Sequence, residues 1–180
     1  MSRLSITPVA EAAGETAELY AALKRNIGKV PNLYATIGTH APAVLGQVLQ
    51  NSASLKKATL TPREQEAINL AVSEATGCDY CLAAHTLMAK AAGYNQEQTL
   101  ALRRGAYAED AKIDALIRFA LTLVKDQGTL AAPEVEALRA AGYSERQLIE
   151  IPQTIAAILF TNMVNRINDT ALDFPKAAAM

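Results

Sequence analysis

Cys78 and Cys81 are the only two cysteines in 180 residues, and they stand in a C-D-Y-C pair. His85 follows Cys81 by four residues, and Glu66 precedes Cys78 by twelve. The constellation therefore reads Glu66-x11-Cys78-x2-Cys81-x3-His85. A dithiol, an imidazole and a carboxylate are the parts needed to make a thiolate, oxidise it and move protons around it. No other stretch of the chain concentrates this much chemistry.

Helices must position these side chains. The sequence predicts one over 62–76 and another over 79–92, with Gly77 closing the first and Cys78 opening the second. A helix N-terminus offers unpaired N–H groups and a partial positive charge. Both favour the thiolate, the reactive form of cysteine. Cys78 is expected at the exposed start of its helix, with Cys81 inside the first turn. His85, at i+4 from Cys81, stands over the same face and can hold or relay a proton. Glu66, Leu70, Ser73 and Gly77 share one narrow arc of the preceding helix. If the two helices fold back antiparallel about Gly77, Glu66 points toward the His85 end of the hairpin and can act as acid or base. Glu64 and Glu74 are rival acids on the same helix. Glu64 belongs to a capping box in Thr61-Pro62-Arg63-Glu64. Glu74 is off the arc and reads as solvated. Taken singly, Glu66 is the weakest of the four, since a lone helical acid is more often a surface residue.

The rest of the chain is helical in pattern too. Ile113, Leu116, Ile117, Ala120, Leu121 and Val124 form a stripe at i, i+3, i+4, i+7, i+8 and i+11. Glu109 and Asp110 suit the start of that helix and Gly128 its end. Further helices are expected over 9–27, 42–56, 96–105, 111–127, 133–141 and 145–171, with residues 28–41 as loop or short helix. No window alternates over strand length, and no hairpin turn joins β-branched runs. The fold class is all-α. The stretches Ala91-Ala92-Gly93-Tyr94-Asn95 and Ala140-Ala141-Gly142-Tyr143-Ser144 echo each other. Each is a helix end with Gly, followed by an N-cap and a Gln three residues on. Two uses of one helix–turn–helix solution account for this better than a duplication, because the flanks do not match.

Composition excludes several functions. At 180 residues and 51% hydrophobic content, much of it Ala, the chain is one domain, 1–180, able to bury its own core. A net charge of −1 offers no clustered basic face for nucleic acid or anionic membrane. Lys56-Lys57 and Arg103-Arg104 are only pairs and read as solvated helix ends. The segment 151–167 is very apolar, but Gln153, Thr154, Asn162, Asn165 and Arg166 interrupt it, so it is not a membrane span. The opening MSRLSITPVAEAAGE has no apolar h-region, so no signal peptide is expected and a cytoplasmic, reducing compartment is the default. There a C-x-x-C pair is redox-active or metal-binding more often than structural. A zinc site made of Cys78, Cys81, His85 and Glu66 is the main rival, but structural zinc usually draws two separated ligand pairs and no second Cys/His pair exists. A thioredoxin-type site needs a strand before the C-x-x-C. His40 reads as a loop residue without a role, and Tyr34, Tyr94 and Tyr143 as packing residues beside turns. No GxGxxG or P-loop is present, so no cofactor is expected and any NAD(P)H or flavin would act through a partner.

The Glu66-x11-Cys78-x2-Cys81-x3-His85 pattern resembles the signature of the alkylhydroperoxidase AhpD family, within the carboxymuconolactone decarboxylase-like superfamily. The core over 60–93 matches best, and Pro31–Leu55 is similar to the superfamily's entry segment. The resemblance implies a single AhpD-like all-helical domain that assembles as a trimer or hexamer. It implies thiol-dependent reduction of a hydroperoxide, with Cys81 as the attacking thiol, Cys78 as the resolving thiol, and His85 with Glu66 as a proton relay. It also implies a thiol or dithiol reductant, such as a lipoyl protein or a peroxiredoxin. AhpD proper has a His just before the second cysteine, where this chain has Tyr80, which could still donate a hydrogen bond. That departure points to the peroxidase-related branch. The alternative is a non-redox carboxymuconolactone decarboxylase-like enzyme or a thiol-sensing binding protein. Such proton-transfer chemistry has no need of two cysteines. The helix around 149–167 has apolar residues on nearly every side (Ile151, Ile155, Ile158, Leu159, Phe160, Met163, Val164) and is expected in a core or an oligomer interface.

Overall fold

The central helix is set by its first four residues. Thr61 Oγ1 accepts from the Glu64 N–H (3.2 Å), and the Glu64 carboxylate accepts from the Thr61 N–H (2.8 Å), which closes a capping box ahead of Pro62. In the computed structural model, which describes residues 2–126 and 129–180, nine α-helices and no strand are found among the described residues. They are α1 Gly14–Ile27, α2 Asn32–His40, α3 Pro42–Leu55, α4 Pro62–Ala75, α5 Asp79–Ala91, α6 Gln96–Arg103, α7 Ala111–Lys125, α8 Ala132–Ala140 and α9 Glu145–Asn168. The all-α expectation holds. α4 lies at the centre, packed against α5, α6, α7 and α9.

Some boundaries differ from those expected. The 9–27 helix is broken into a 3-10 turn, Val9–Glu11, and α1, which starts at Gly14 with a left-handed φ of 56°. Residues 28–41 contain a true helix, α2, so His40 sits in its last turn rather than in a loop. There its Nε2 lies 2.8 Å from the Ser5 carbonyl oxygen. α9 ends at Asn168 because Asp169 turns left-handed (φ 52°), and 169–180 continues as an irregular strap. The Asp110 carboxylate caps α7, accepting from the Lys112 N–H (2.9 Å) and the Ile113 N–H (3.3 Å). The Gly128 expected to end that helix lies outside the described residues.

The two echoed turns are one local solution used twice. Gly93 and Gly142 take φ of 94° and 93°, values that suit glycine. Asn95 and Ser144 then head full capping boxes with Gln98 and Gln147. Tyr94 and Tyr143 are buried beside these turns, as expected of packing residues.

α9 supplies much of the core around the hairpin. Ile151, Ile155 and Ile158 are buried in one cluster with Ile68 and Val72 of α4, Leu116 and Ala120 of α7, and both cysteines. Of the apolar residues expected around α9, Leu159, Phe160 and Val164 are half-buried, while Met163 stands exposed.

Candidate functional site

The hairpin turn makes the dithiol. Gly77, at φ 66°, reverses the chain after α4, and the Cys78 N–H bonds back to the Ser73 carbonyl (3.0 Å). Cys78 then becomes the N-cap of α5, its Sγ accepting from the Cys81 N–H at 3.3 Å. The pair is joined as a Cys78–Cys81 disulfide, with Cα atoms 5.3 Å apart. One sequence-based expectation fails here. Cys78 is not exposed: it is 1% accessible and Cys81 3%. Elements distant in sequence, α9 foremost, pack over the turn and place both sulfurs in the main core.

Glu66 and His85 meet as the hairpin geometry requires. His85 Nδ1 is 2.7 Å from Glu66 Oε2. Glu66 is buried, not a surface acid, and its Oε1 accepts from Asn69 Nδ2 (3.2 Å). A carboxylate at Nδ1 selects the tautomer with the proton there and leaves Nε2 free to exchange one. The structure thus brings the four residues together as two bonded pairs on one hairpin. No hydrogen bond joins His85 to either sulfur among the described residues. They also hold no group of three or more His, Cys, Asp or Glu side chains arranged to bind a metal ion.

Tyr80, between the cysteines, faces away from them in its bonding. Its hydroxyl donates to Asp173 Oδ1 (2.6 Å) and accepts from the Leu33 N–H (3.3 Å), and its ring meets Phe174 edge-on. Burial, then the Asp173 carboxylate, push the phenol well above its ordinary pKa and keep it a neutral donor. Asp173 also binds Lys29 Nζ (3.0 Å) and the Asn32 N–H (3.2 Å), tying the C-terminal strap to α2 and to the cysteine turn.

Two surface assignments need correction. Glu74 is not simply solvated: its carboxylate is 2.7 Å from Nε of Arg103. Arg103 is itself buried rather than part of a solvated helix end, because that ion pair and a bond to the Ala178 carbonyl (2.6 Å) compensate its charge. Glu64 does act as the capping acid, and its Oε1 also lies 3.2 Å from Lys112 Nζ.

Sequence reasoning missed one side chain at the disulfide. Asn165 of α9 donates through Nδ2 to Cys81 Sγ at 3.3 Å. The available signal was a polar stripe, Asn162, Asn165 and Asn168, along an otherwise apolar helix. Such a stripe marks buried polar partners but does not name them.

Fold and site together define an all-helical protein with a C-x-x-C disulfide at a helix hairpin and a Glu–His pair on the same hairpin. Residues 42–126, which hold the whole constellation, match the carboxymuconolactone decarboxylase family. A structure described as an AhpD-core, uncharacterised peroxidase-related protein from Ralstonia eutropha JMP134 superposes with a TM-score of 0.85 at 21% identity, covering 96% of this chain and 92% of that one. A peroxidase-related protein from Silicibacter sp. TM1040 gives 0.82 at 22% identity, covering 94% and 91%. A cysteine-to-alanine variant of the debrominase Bmp8, in complex with 2,3,4-tribromopyrrole, gives 0.79 at 21% identity, covering 96% and 94%. At such identities these likenesses establish the fold. No curated protein matches the sequence.

Proposed function

We propose that this protein is a thiol-dependent hydroperoxide reductase working through the Cys78–Cys81 dithiol, with Cys81 attacking and Cys78 resolving. The observation that carries this reading is the disulfide at the start of α5, on the same hairpin as the Glu66–His85 pair. In the reduced state the helix N-terminus favours a thiolate at this turn. Cys81 thiolate attacks the hydroperoxide, a sulfenic acid forms, and Cys78 displaces water to give the disulfide. An external thiol or dithiol, such as a lipoyl protein or a peroxiredoxin, then returns two electrons. His85 carries the proton to the departing alkoxide, and Glu66 sets its tautomer.

One equivalent of hydroperoxide should remove two free thiols from the reduced protein. Cys81→Ser should abolish peroxide consumption, whereas Cys78→Ser should consume one equivalent and stall at a sulfenic acid. The reverse pattern would assign the two sulfurs the other way round. Thiols that remain fully alkylatable after peroxide would sink the reading.

A second reading has support in the fold shared with a debrominase. The same dithiol can take a halogen from an aromatic ring as S–X while the ring gains a proton. The second thiolate then forms the disulfide and releases halide. Halide release with 2,3,4-tribromopyrrole as the probe, faster than turnover of any hydroperoxide, would favour it. A non-redox lactone chemistry leaves the disulfide without a role.

The working protein is proposed to be a cytoplasmic homo-oligomer. No helix among the described residues is long and apolar enough to cross a membrane.

A further inference from the structure

α9 carries Asn162, Asn165 and Asn168 at successive turns of one face, each at most 3% accessible. The outer two have partners at both ends of the amide. Asn162 donates to Thr76 Oγ1 (2.7 Å) and accepts from Ser73 Oγ (3.4 Å). Asn168 donates to the Thr36 and Thr170 hydroxyls (3.1 Å each) and accepts from the Leu4 N–H (2.8 Å). The middle one differs. Asn165 Nδ2 reaches Cys81 Sγ at 3.3 Å, and its Oδ1 is buried with no hydrogen-bond partner among the described residues. A buried amide oxygen without a donor is costly and needs a physical cause.

The chemistry of sulfur supplies one. A disulfide sulfur has no hydrogen, so only the N–H end of an amide can bond to it. That fixes how the Asn165 amide is turned and leaves its carbonyl end beside the same sulfur. We propose that Asn165 is the positioning residue for Cys81: its N–H holds the thiolate for attack, and its Oδ1 is the acceptor for the O–H that appears on that sulfur once it is oxidised. This rests on the assignment of Cys81 as the attacking thiol.

The steps balance. Cys81 thiolate attacks the terminal peroxide oxygen; an S–O bond forms as the O–O bond breaks, and the sulfur gives up two electrons. The alkoxide that leaves takes a proton from His85. Cys81 now bears S–O–H, whose hydrogen lies beside Oδ1. Cys78 thiolate then attacks the Cys81 sulfur; the S–S bond forms, the S–O bond breaks, and the departing hydroxide takes up a proton and leaves as water. Oδ1 again lacks a partner, which is the state seen in the disulfide form.

The first test reads thiolate formation without any peroxide. In the reduced Cys78→Ser background Cys81 is the single thiol, and its rate of alkylation by iodoacetamide is followed against pH. Asn165→Ala should move the midpoint upward by ~1–2 pH units, the loss of one hydrogen bond to a charged group. Asn165→Asp keeps the shape but replaces the donor with an acceptor, and should move it at least as far in the same direction. A folded variant with the wild-type midpoint would overturn the proposal. If neither variant folds, the wild type carries the test. Among its asparagine side-chain NH₂ resonances, that of Asn165 should move most when the disulfide is reduced, and an unmoved spectrum would overturn the proposal equally. The outcomes also separate the two claims. A wild type that consumes no hydroperoxide, with the midpoint still shifted by Asn165→Ala, ends the peroxidase reading and leaves the positioning role standing. An active wild type with both midpoints unmoved ends the positioning role alone.

Discussion

At the scale of single residues, the sharpest question is whether Glu66 does chemistry or merely packs. It is buried and bonded to His85, which itself stays partly exposed. If the pair relays protons, Glu66→Gln should keep the fold and the disulfide yet slow peroxide-driven oxidation by about 10²–10⁴-fold. Removing one acid–base partner should also remove one limb of the pH–rate profile. A variant that reacts like wild type at every pH would reduce the site to Cys78, Cys81 and His85. Tyr80 supports the opposite expectation. Its phenol is held neutral and bonded to Asp173, so it is not placed to shuttle protons. Tyr80→Phe should cost about 1–3 kcal/mol, because the Leu33 N–H is left without an acceptor, while peroxide turnover is kept. Denaturant midpoints and turnover measured side by side check this, and lost turnover at unchanged stability would make Tyr80 a participant. Both residues show what the sequence could reveal. Glu66 was legible because helical period alone places 66 and 77 on one arc. The burial of Cys78 was not, because what covers it comes from the far end of the chain. Asn165, 84 positions from Cys81, reaches its sulfur for the same reason.

At the scale of elements, the hairpin is built from strong local signals, which is why α4 and α5 appear almost where the residues predict. Thr61, Pro62 and Glu64 start α4, Gly77 reverses the chain, and Cys78 caps α5. The weaker signals failed where propensity is diluted. Ala-rich 9–27 reads as one helix, yet extended backbone at Ala12 and Ala13 and the left-handed Gly14 divide it. The capping box also carries a pH signature. Burial raises the Glu64 pKa, but bonds from Thr61 and from Lys112 outweigh it and leave the carboxyl below its usual range. A carboxyl lowered on folding contributes stability above its unfolded pKa, about 4.3, and loses that contribution as pH falls through its folded value. Thr61→Ala should therefore cost about 1 kcal/mol at pH 7 as a lost N-cap. Glu64→Gln should be destabilising at neutral pH and converge on the wild type in acid. Urea midpoints at both ends of that range read the effect, and a gap that persists below the folded pKa would mean that the charge of Glu64 is not what matters.

At the scale of the whole molecule, α9 has two apolar sides with different fates. Ile151, Ile155 and Ile158 are spent on the chain's own core, which accounts for part of the all-round apolar pattern read from the sequence. The remainder is not buried within one chain. Ile149, Met163 and Ile167 are 73%, 53% and 64% accessible, and positions 149, 156, 160, 163 and 167, spaced by seven, four, three and four residues, fall along one stripe. Large apolar side chains aligned on one helix face are the pattern expected of a surface that meets another such surface. A second stretch, Leu87 and Met88, stands exposed on α5 just after His85. The expected state in solution is a trimer or larger. Light scattering should give a multiple of the 19.2 kDa chain mass across a wide concentration range. Replacing Met163 and Ile167 together by Glu puts charge into the stripe and removes apolar contact without touching the buried face of α9. The double variant should keep its helicity and fall to the mass of one chain. A wild type that already runs at one chain mass at every concentration would refute the assembly, and would leave these side chains as an apolar surface that a single molecule tolerates.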